Sequence, residues 1–173
     1  MRMLRILVAT ETYVRLYSSS LETISIINTT SNPLGICCLN NAPSAVFAGA
    51  LGITAGSVVV QKVPPRQDSG SPAREGDGLG DERWDLPPPV PIMAHQSGIA
   101  AMCISDDGSF VATASEKGTV IRVYEMASGK QLKELRRGMK SAVITSLSFS
   151  PDGSMLLVSS NTGTVHLFDL TSG

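Results

Sequence analysis

The stretch Ser105-Asp106-Asp107-Gly108-Ser109-Phe110-Val111-Ala112-Thr113-Ala114-Ser115-Glu116-Lys117-Gly118-Thr119-Val120 returns, without a gap, as Ser150-Pro151-Asp152-Gly153-Ser154-Met155-Leu156-Leu157-Val158-Ser159-Ser160-Asn161-Thr162-Gly163-Thr164-Val165, a period of 45 residues. The identical positions are Ser105 and Ser150, Asp107-Gly108-Ser109 and Asp152-Gly153-Ser154, Ser115 and Ser160, and Gly118-Thr119-Val120 and Gly163-Thr164-Val165. These are turn and strand-edge residues, and the apolar runs between them differ in identity but not in character. Each copy reads as strand, Asp-Gly turn, strand, Gly-containing turn, strand. That antiparallel meander, repeating at about 40–45 residues, is the signature of a WD40-type propeller blade.

Past Val120 the two copies fall out of step. Val120-Ile121-Arg122-Val123-Tyr124 answers Val165-His166-Leu167-Phe168, so the first copy holds one extra residue. A β-bulge near Arg122 is the expected cause, and bulges re-aim side chains beside functional sites.

Working outward, Leu7 to Thr10, Tyr13 to Tyr17 and Thr23 to Ile27 read as three short strands without a preceding first strand. Pro33 to Gln61 supplies further strands, with Gly52 and Gly56 at turns, before a strand near Pro91 to His95. The expected organisation is a partial blade over 1–30, a blade over 31–95 interrupted by a disordered insert at 64–89, a full blade over 96–138, and a partial blade over 139–173. The fold class is therefore all-β, an incomplete WD40-type β-propeller of about three to four blades, both ends of the chain falling within a blade. The insert carries Pro64-Pro65, Pro87-Pro88-Pro89 and several Gly and Ser, a composition that does not bury a core. Its Trp84 is the sole tryptophan, either a partner-binding anchor or an incidental residue.

A chain of 173 residues with a net charge of -1 has room for a core but lacks the broad basic excess of a nucleic-acid binder. The three cysteines, Cys37, Cys38 and Cys103, have no zinc-site spacing and read as reduced core residues. Glu11 and Arg15 interrupt the N-terminal apolar run before it reaches the length of a signal peptide or membrane span, so a cytoplasmic protein, at most peripheral to membranes, is expected. Asp106, Asp107 and Asp152 sit in Asp-Gly turns, where a carboxylate accepts local backbone hydrogen bonds. With no nucleophile triad, metal cluster or nucleotide loop in the sequence, an enzyme is not expected, and no cofactor is implied.

Positive charge is concentrated locally. Between Lys130 and Lys140 lie Lys130, Lys133, Arg136, Arg137 and Lys140 against the single acid Glu134. Leu135-Arg136-Arg137-Gly138 closes one repeat and opens the next, and adjacent residues of an extended strand point to opposite sides. Each guanidinium is a planar fork suited to bidentate phosphate binding, so one dipeptide can serve a phosphate on each flank. A membrane carrying phosphorylated inositol lipids presents such groups in one plane.

The segment from Ala94-His95 through Ala114-Ser115-Glu116-Lys117-Gly118-Thr119-Val120-Ile121-Arg122-Val123 to Leu135-Arg136-Arg137-Gly138 closely resembles the PROPPIN family, the WIPI-type autophagy propellers that bind polyphosphoinositides. Ser159-Ser160-Asn161-Thr162-Gly163-Thr164-Val165-His166-Leu167-Phe168 and Asn32-Pro33-Leu34-Gly35 resemble it as well. The resemblance implies a seven-bladed ring with two rim pockets for phosphatidylinositol 3-phosphate or 3,5-bisphosphate. It implies a first pocket of His95, Ser115, Gly118, Thr119, Arg122 and Arg136, and a second of Arg137, Ser160, Thr164 and His166. It further implies a scaffold that recruits lipid-transfer or conjugation machinery in autophagosome formation, peripheral on the phagophore assembly site and on endosomal or vacuolar/lysosomal membranes. The family also inserts a hydrophobic loop of a late blade into the bilayer, a blade not found in this sequence.

The residues themselves fit this chemistry. Arg122 and Arg136 balance a phosphate of about -1.5 to -2 charge, Ser115, Thr119 and the Gly118 amide offer donors, and His95 and His166 donate more readily when charged. Taken singly, each Ser, Thr or His equally fits a structural role in a blade turn. Two other readings stand beside the lipid reader: a general WD40 protein-interaction platform without lipid binding, and a chain whose open strand edges prevent independent folding.

Overall fold

A computed structural model describes residues 5–18, 21, 23–28, 32–40, 45–49, 55–63 and 88–172. The expected insert at 64–89, with Trp84, falls almost wholly outside the described residues, as does the turn expected at Gly52.

The described residues form four antiparallel sheets, each a meander in chain order. The first contains β1 (Ile6–Ala9), β2 (Tyr13–Tyr17) and β3 (Thr23–Asn28); the second contains β4 (Cys37–Leu39), β5 (Ala45–Gly49), β6 (Ser57–Val63) and β7 (Val90–Met93). The third contains β8 (Ile99–Ile104), β9 (Phe110–Ser115), β10 (Val120–Glu125) and β11 (Gln131–Arg136), and the fourth β12 (Ile144–Phe149), β13 (Met155–Ser160) and β14 (Val165–Asp169). The leading strands β4, β8 and β12 pack in succession, and β1 meets β4. Sheets stacked face to face through their leading strands are the architecture of a β-propeller.

Apolar layers fill the spaces between sheets. Val14, Leu16, Ile24 and Val63 join the first sheet to the second; Val58, Val60, Ile92, Ala94, Ile99, Val111, Tyr124 and Met126 join the second to the third. Ala112, Ala114, Ile121, Val123, Ile144, Leu147, Leu156 and Val158 join the third to the fourth. Because side chains alternate across a strand, β9 and β10 feed both layers: Val111 and Tyr124 face the second sheet, Ala112 and Val123 the fourth.

The repeated Asp-Gly turns have the same internal wiring. Asp107 Oδ1 accepts from Ser105 Oγ at 2.6 Å and from the Ser109 amide at 3.0 Å, with Gly108 at φ +74°. Asp152 Oδ1 accepts from Ser150 Oγ at 2.5 Å and from the Ser154 amide at 3.1 Å, with Gly153 at φ +71°. The Ser150 hydroxyl and the Ser154 amide hold the Asp152 carboxyl down to about 2. A carboxyl lowered on folding stabilises the native state above its unfolded value near 3.8, and that contribution is lost as pH falls through about 2. Acid titration followed by circular dichroism therefore shows a shallower loss of stability over this window in Asp152→Asn than in wild type. Equal slopes would contradict the assignment.

Asn32-Pro33-Leu34-Gly35 is the turn between the first two sheets. Buried Asn32 bonds the backbone of Ile36 through both ends of its amide, at 2.8 and 3.2 Å, and its own amide N–H donates to Glu11 O at 2.8 Å.

An irregularity does lie near Arg122, on the β10–β11 side, but the extra residue of the first copy makes no bulge in the β9–β10 ladder. β9 and β10 pair in unbroken register from Ile121 against Ala114 to Glu125 against Phe110. In the next sheet Ser159 pairs with Val165, so six positions separate the partners where seven separate Ala114 and Ile121. The extra residue is absorbed in the β9–β10 turn, where a loop accommodates it at less cost than a ladder. A separate irregularity interrupts the β10–β11 register at Val123 and Tyr124, with Leu132 the unpaired residue of β11. In consequence Arg122, opposite Thr113, occupies the place that His166, opposite Val158, holds in the following sheet.

Candidate functional site: two clefts flanking an arginine pair

The third sheet presents one face to the second sheet and the other to the fourth, and Arg136 and Arg137 fall on opposite faces. Arg136 ends β11 opposite Val120, on the face of Arg122 and Glu134. Arg137 continues the face of Leu135, which packs into the layer shared with the fourth sheet.

The first cleft lies between the second and third sheets. His95, buried where the chain leaves β7, holds its Nε2 3.0 Å from Thr113 Oγ1. Burial, with a smaller effect from the nearby Arg122 charge, pushes the His95 imidazole below its ordinary range. It is thus neutral at neutral pH, a hydrogen-bonding group fixed by Thr113 and not the charged donor a phosphate would favour.

Arg122 departs furthest from expectation. Its Nη1 donates to Ala94 O at 2.7 Å and its Nε to Glu134 Oε2 at 2.9 Å, so this guanidinium ties the exit of β7 to the third sheet. Tyr124 Oη donates to the same carbonyl at 3.0 Å. Arg136 contrasts with it: the side chain is exposed and, among the described residues, makes no hydrogen bond or ion pair. Buried Ser115 lies at the end of β9 on this face. The Gly118 amide, expected to donate to a ligand here, instead closes the turn by donating to Ser115 O at 2.9 Å.

The second cleft lies between the third and fourth sheets. Arg137 Nε donates to Gly118 O at 2.6 Å, its Nη2 donates to Lys140 O, and its backbone amide donates to Thr119 O at 3.0 Å. Gly118 itself packs against Ala142 O and Ile144 Cδ1, so by position it belongs to this second cleft although the resemblance assigns it to the first. Ile144 pairs with Ser160, which brings the arginine's anchor to the wall formed by β12 and β13. There Ser160 Oγ lies 2.8 Å from Thr162 Oγ1 and 2.9 Å from Thr164 Oγ1, and the two threonines are 3.2 Å apart, a closed triangle of hydroxyls. His166 stacks on Phe168 with ring centroids 6.1 Å apart, and its buried Nε2 has no hydrogen-bond partner among the described residues. Buried polar atoms ordinarily have one.

Glu134, Thr113 and Thr162 thus join the site without having been expected. Thr162 repeats the hydroxyl spacing of Thr164 and was legible. The partnerships of Glu134 and Thr113 depend on strand register, which residue types alone do not disclose.

The architecture is that of a partial β-propeller with the Arg136-Arg137 pair on opposite faces of its third sheet. The PROPPIN family model matches residues 85–172, half of the chain, and the chain belongs to this family. It is 33% identical to Autophagy-related protein 18 of Scheffersomyces stipitis, over 96% of this chain and 33% of that relative. The chain spans about a third of the length of such curated relatives. Among solved structures, Kluyveromyces lactis Hsv2 superposes with a TM-score of 0.75 at 23% identity, covering 98% of this chain and 47% of that one. The structure titled as the complex of KlAtg21 with the coiled-coil of AgAtg16 gives 0.70 at 22% identity, covering 99% and 53%. At these identities the structural likeness establishes the fold.

Proposed function

We propose that this chain reads phosphoinositides, phosphatidylinositol 3-phosphate and 3,5-bisphosphate, on an autophagy-related membrane and acts there as a scaffold, not an enzyme. The observation that carries the reading is the placement of Arg136 and Arg137 on opposite faces of the third sheet, the first on the face of Ser115 and the second tied through Gly118 to the side of the strands that carry Ser160 and His166. Planar guanidinium forks with neighbouring hydroxyl donors suit phosphate groups. Two clefts on one sheet suit two headgroups in one membrane plane, and such bivalency raises apparent affinity by roughly 10²–10⁴ over one contact. Among the described residues no helix is long and apolar enough to cross a membrane, so attachment by this part of the chain is assigned to the headgroups.

Membership in a family whose relatives are named autophagy-related supports placement on the phagophore assembly site and on endosomal or vacuolar membranes. The AgAtg16 coiled-coil bound to KlAtg21 supports a second role, docking of an autophagy protein partner, and that role is compatible with lipid reading. Vesicle flotation with phosphatidylinositol 3-phosphate, phosphatidylinositol 3,5-bisphosphate or unphosphorylated phosphatidylinositol tests the proposal. Selective flotation with the phosphorylated lipids is expected. A folded chain that ignores them would leave protein docking as the better reading.

A further inference from the structure

We infer that Met139, in the connection between β11 and β12, is an apolar anchor that enters the boundary of the bilayer while the arginines beside it hold headgroups; this rests on the lipid reading above and adds an acyl-chain contact to it. Met139 is 88% exposed, more than any other large apolar side chain among the described residues. An exposed apolar residue standing alone is ordinary on a protein surface. Two features set this one apart.

The first is that its backbone is pinned. At one foot of the connection the amides of Arg137 and Gly138 both donate to Thr119 O, at 3.0 and 3.4 Å, and at the other the Ala142 amide donates to Lys117 O at 3.2 Å. Arg137 Nη2 donates to Lys140 O between them. Gly138 to Ser141 thus form a short arch with both feet on the β9–β10 turn, braced by the guanidinium of the second cleft. An arch already ordered in the free protein has little further freedom to lose when its tip enters lipid.

The second feature is charge. Arg136, Arg137 and Lys140 all lie within three residues of Met139, and no acid occurs from Leu135 to Pro151. An apolar side chain set among cations suits an anionic membrane surface: the cations meet the phosphates as the apolar group passes into the boundary between headgroups and chains. The turn between the first and second sheets provides the contrast. Leu34 is 70% exposed there, but Asn32-Pro33-Leu34-Gly35 carries no charge and borders neither cleft.

The test pairs flotation on phosphatidylcholine vesicles containing phosphatidylinositol 3-phosphate with calorimetric titration by inositol 1,3-bisphosphate, which has no acyl chain. Met139→Ser is expected to lower vesicle binding about tenfold, the low end of what burying a Met side chain contributes, and to leave the affinity for the soluble headgroup unchanged. Met139→Leu and Leu34→Ser are expected to float as wild type does. Met139→Trp in a Trp84→Phe background reads the depth directly, because its fluorescence should be quenched by dibrominated acyl chains in the same vesicles. Unchanged flotation of Met139→Ser, an equal loss on the soluble headgroup, or a vesicle-bound Met139→Trp that is not quenched overturns the inference and leaves the lipid reading in place. A folded wild type that binds neither the vesicles nor the soluble headgroup overturns the two together.

Discussion

Replacing either Arg136 or Arg137 by threonine is expected to lower apparent affinity for phosphoinositide vesicles by roughly 10²–10⁴, the whole gain from bivalency, because one cleft is then left to bind alone. Replacing both is expected to remove the remaining binding as well, because neither cleft keeps its cation. The two singles differ in a further way. The Arg136 side chain is exposed and makes no hydrogen bond or ion pair among the described residues, so Arg136→Thr leaves the unfolding midpoint unchanged. Arg137 donates to Gly118 O and Lys140 O, so Arg137→Thr removes a brace between the third sheet and the approach to the fourth and lowers stability by about 1–2 kcal/mol. Vesicle flotation beside urea denaturation separates the effects, and equal destabilisation by both singles would contradict the division of roles.

Gly118→Ala is the second large effect. Gly118 has φ +60°, and a Cβ there would lie 1.9 Å from Ala142 O. No side-chain movement relieves a clash with backbone, so the turn must open. Opening it costs the Arg137 anchor at Gly118 O and the hydrogen bond from the Ala142 amide to Lys117 O at 3.2 Å. A loss of more than about 3 kcal/mol is expected, from left-handed strain and the steric term together. The repeat provides its own control: Gly163 has φ +74° but open space around a Cβ, so Gly163→Ala costs only about 1 kcal/mol. Gly138→Ala, with no atom within 4 Å and no left-handed φ, is near neutral although it ends the Arg-Arg-Gly run. Thermal or urea unfolding of the three variants should rank them Gly118, Gly163, Gly138. Any other order would mean that the Gly118 turn is not what joins the third and fourth sheets.

The repeat was legible because its turns are chemical. An Asp that caps its own turn and a Gly at positive φ recur at fixed offsets, and both copies carry the same hydrogen bonds. Alternation along β11 likewise made the split of Arg136 and Arg137 legible. What stayed hidden depends on pairing between strands. The extra residue could be counted from the sequence, but whether a turn or a strand absorbed it is decided by the ladder, and the answer moved Arg122 into the structural place of His166. The His95 imidazole is pushed down by burial and then by Arg122, and its hydrogen-bond partner Thr113 has no counterpart in the second copy, where Val158 stands. Glu134 reads in sequence as the one acid diluting a basic run; only its position opposite Arg122 makes it part of the cleft.

If one dipeptide serves two separate clefts, the chain holds two headgroups at once. Calorimetric titration of the chain with inositol 1,3-bisphosphate, the soluble headgroup of phosphatidylinositol 3-phosphate, tests it without a membrane. Two sites per chain are expected in wild type, one in Arg136→Thr, one in Arg137→Thr and none in the double variant. A single site in wild type that either replacement abolishes would contradict it, because the two arginines would then share one pocket.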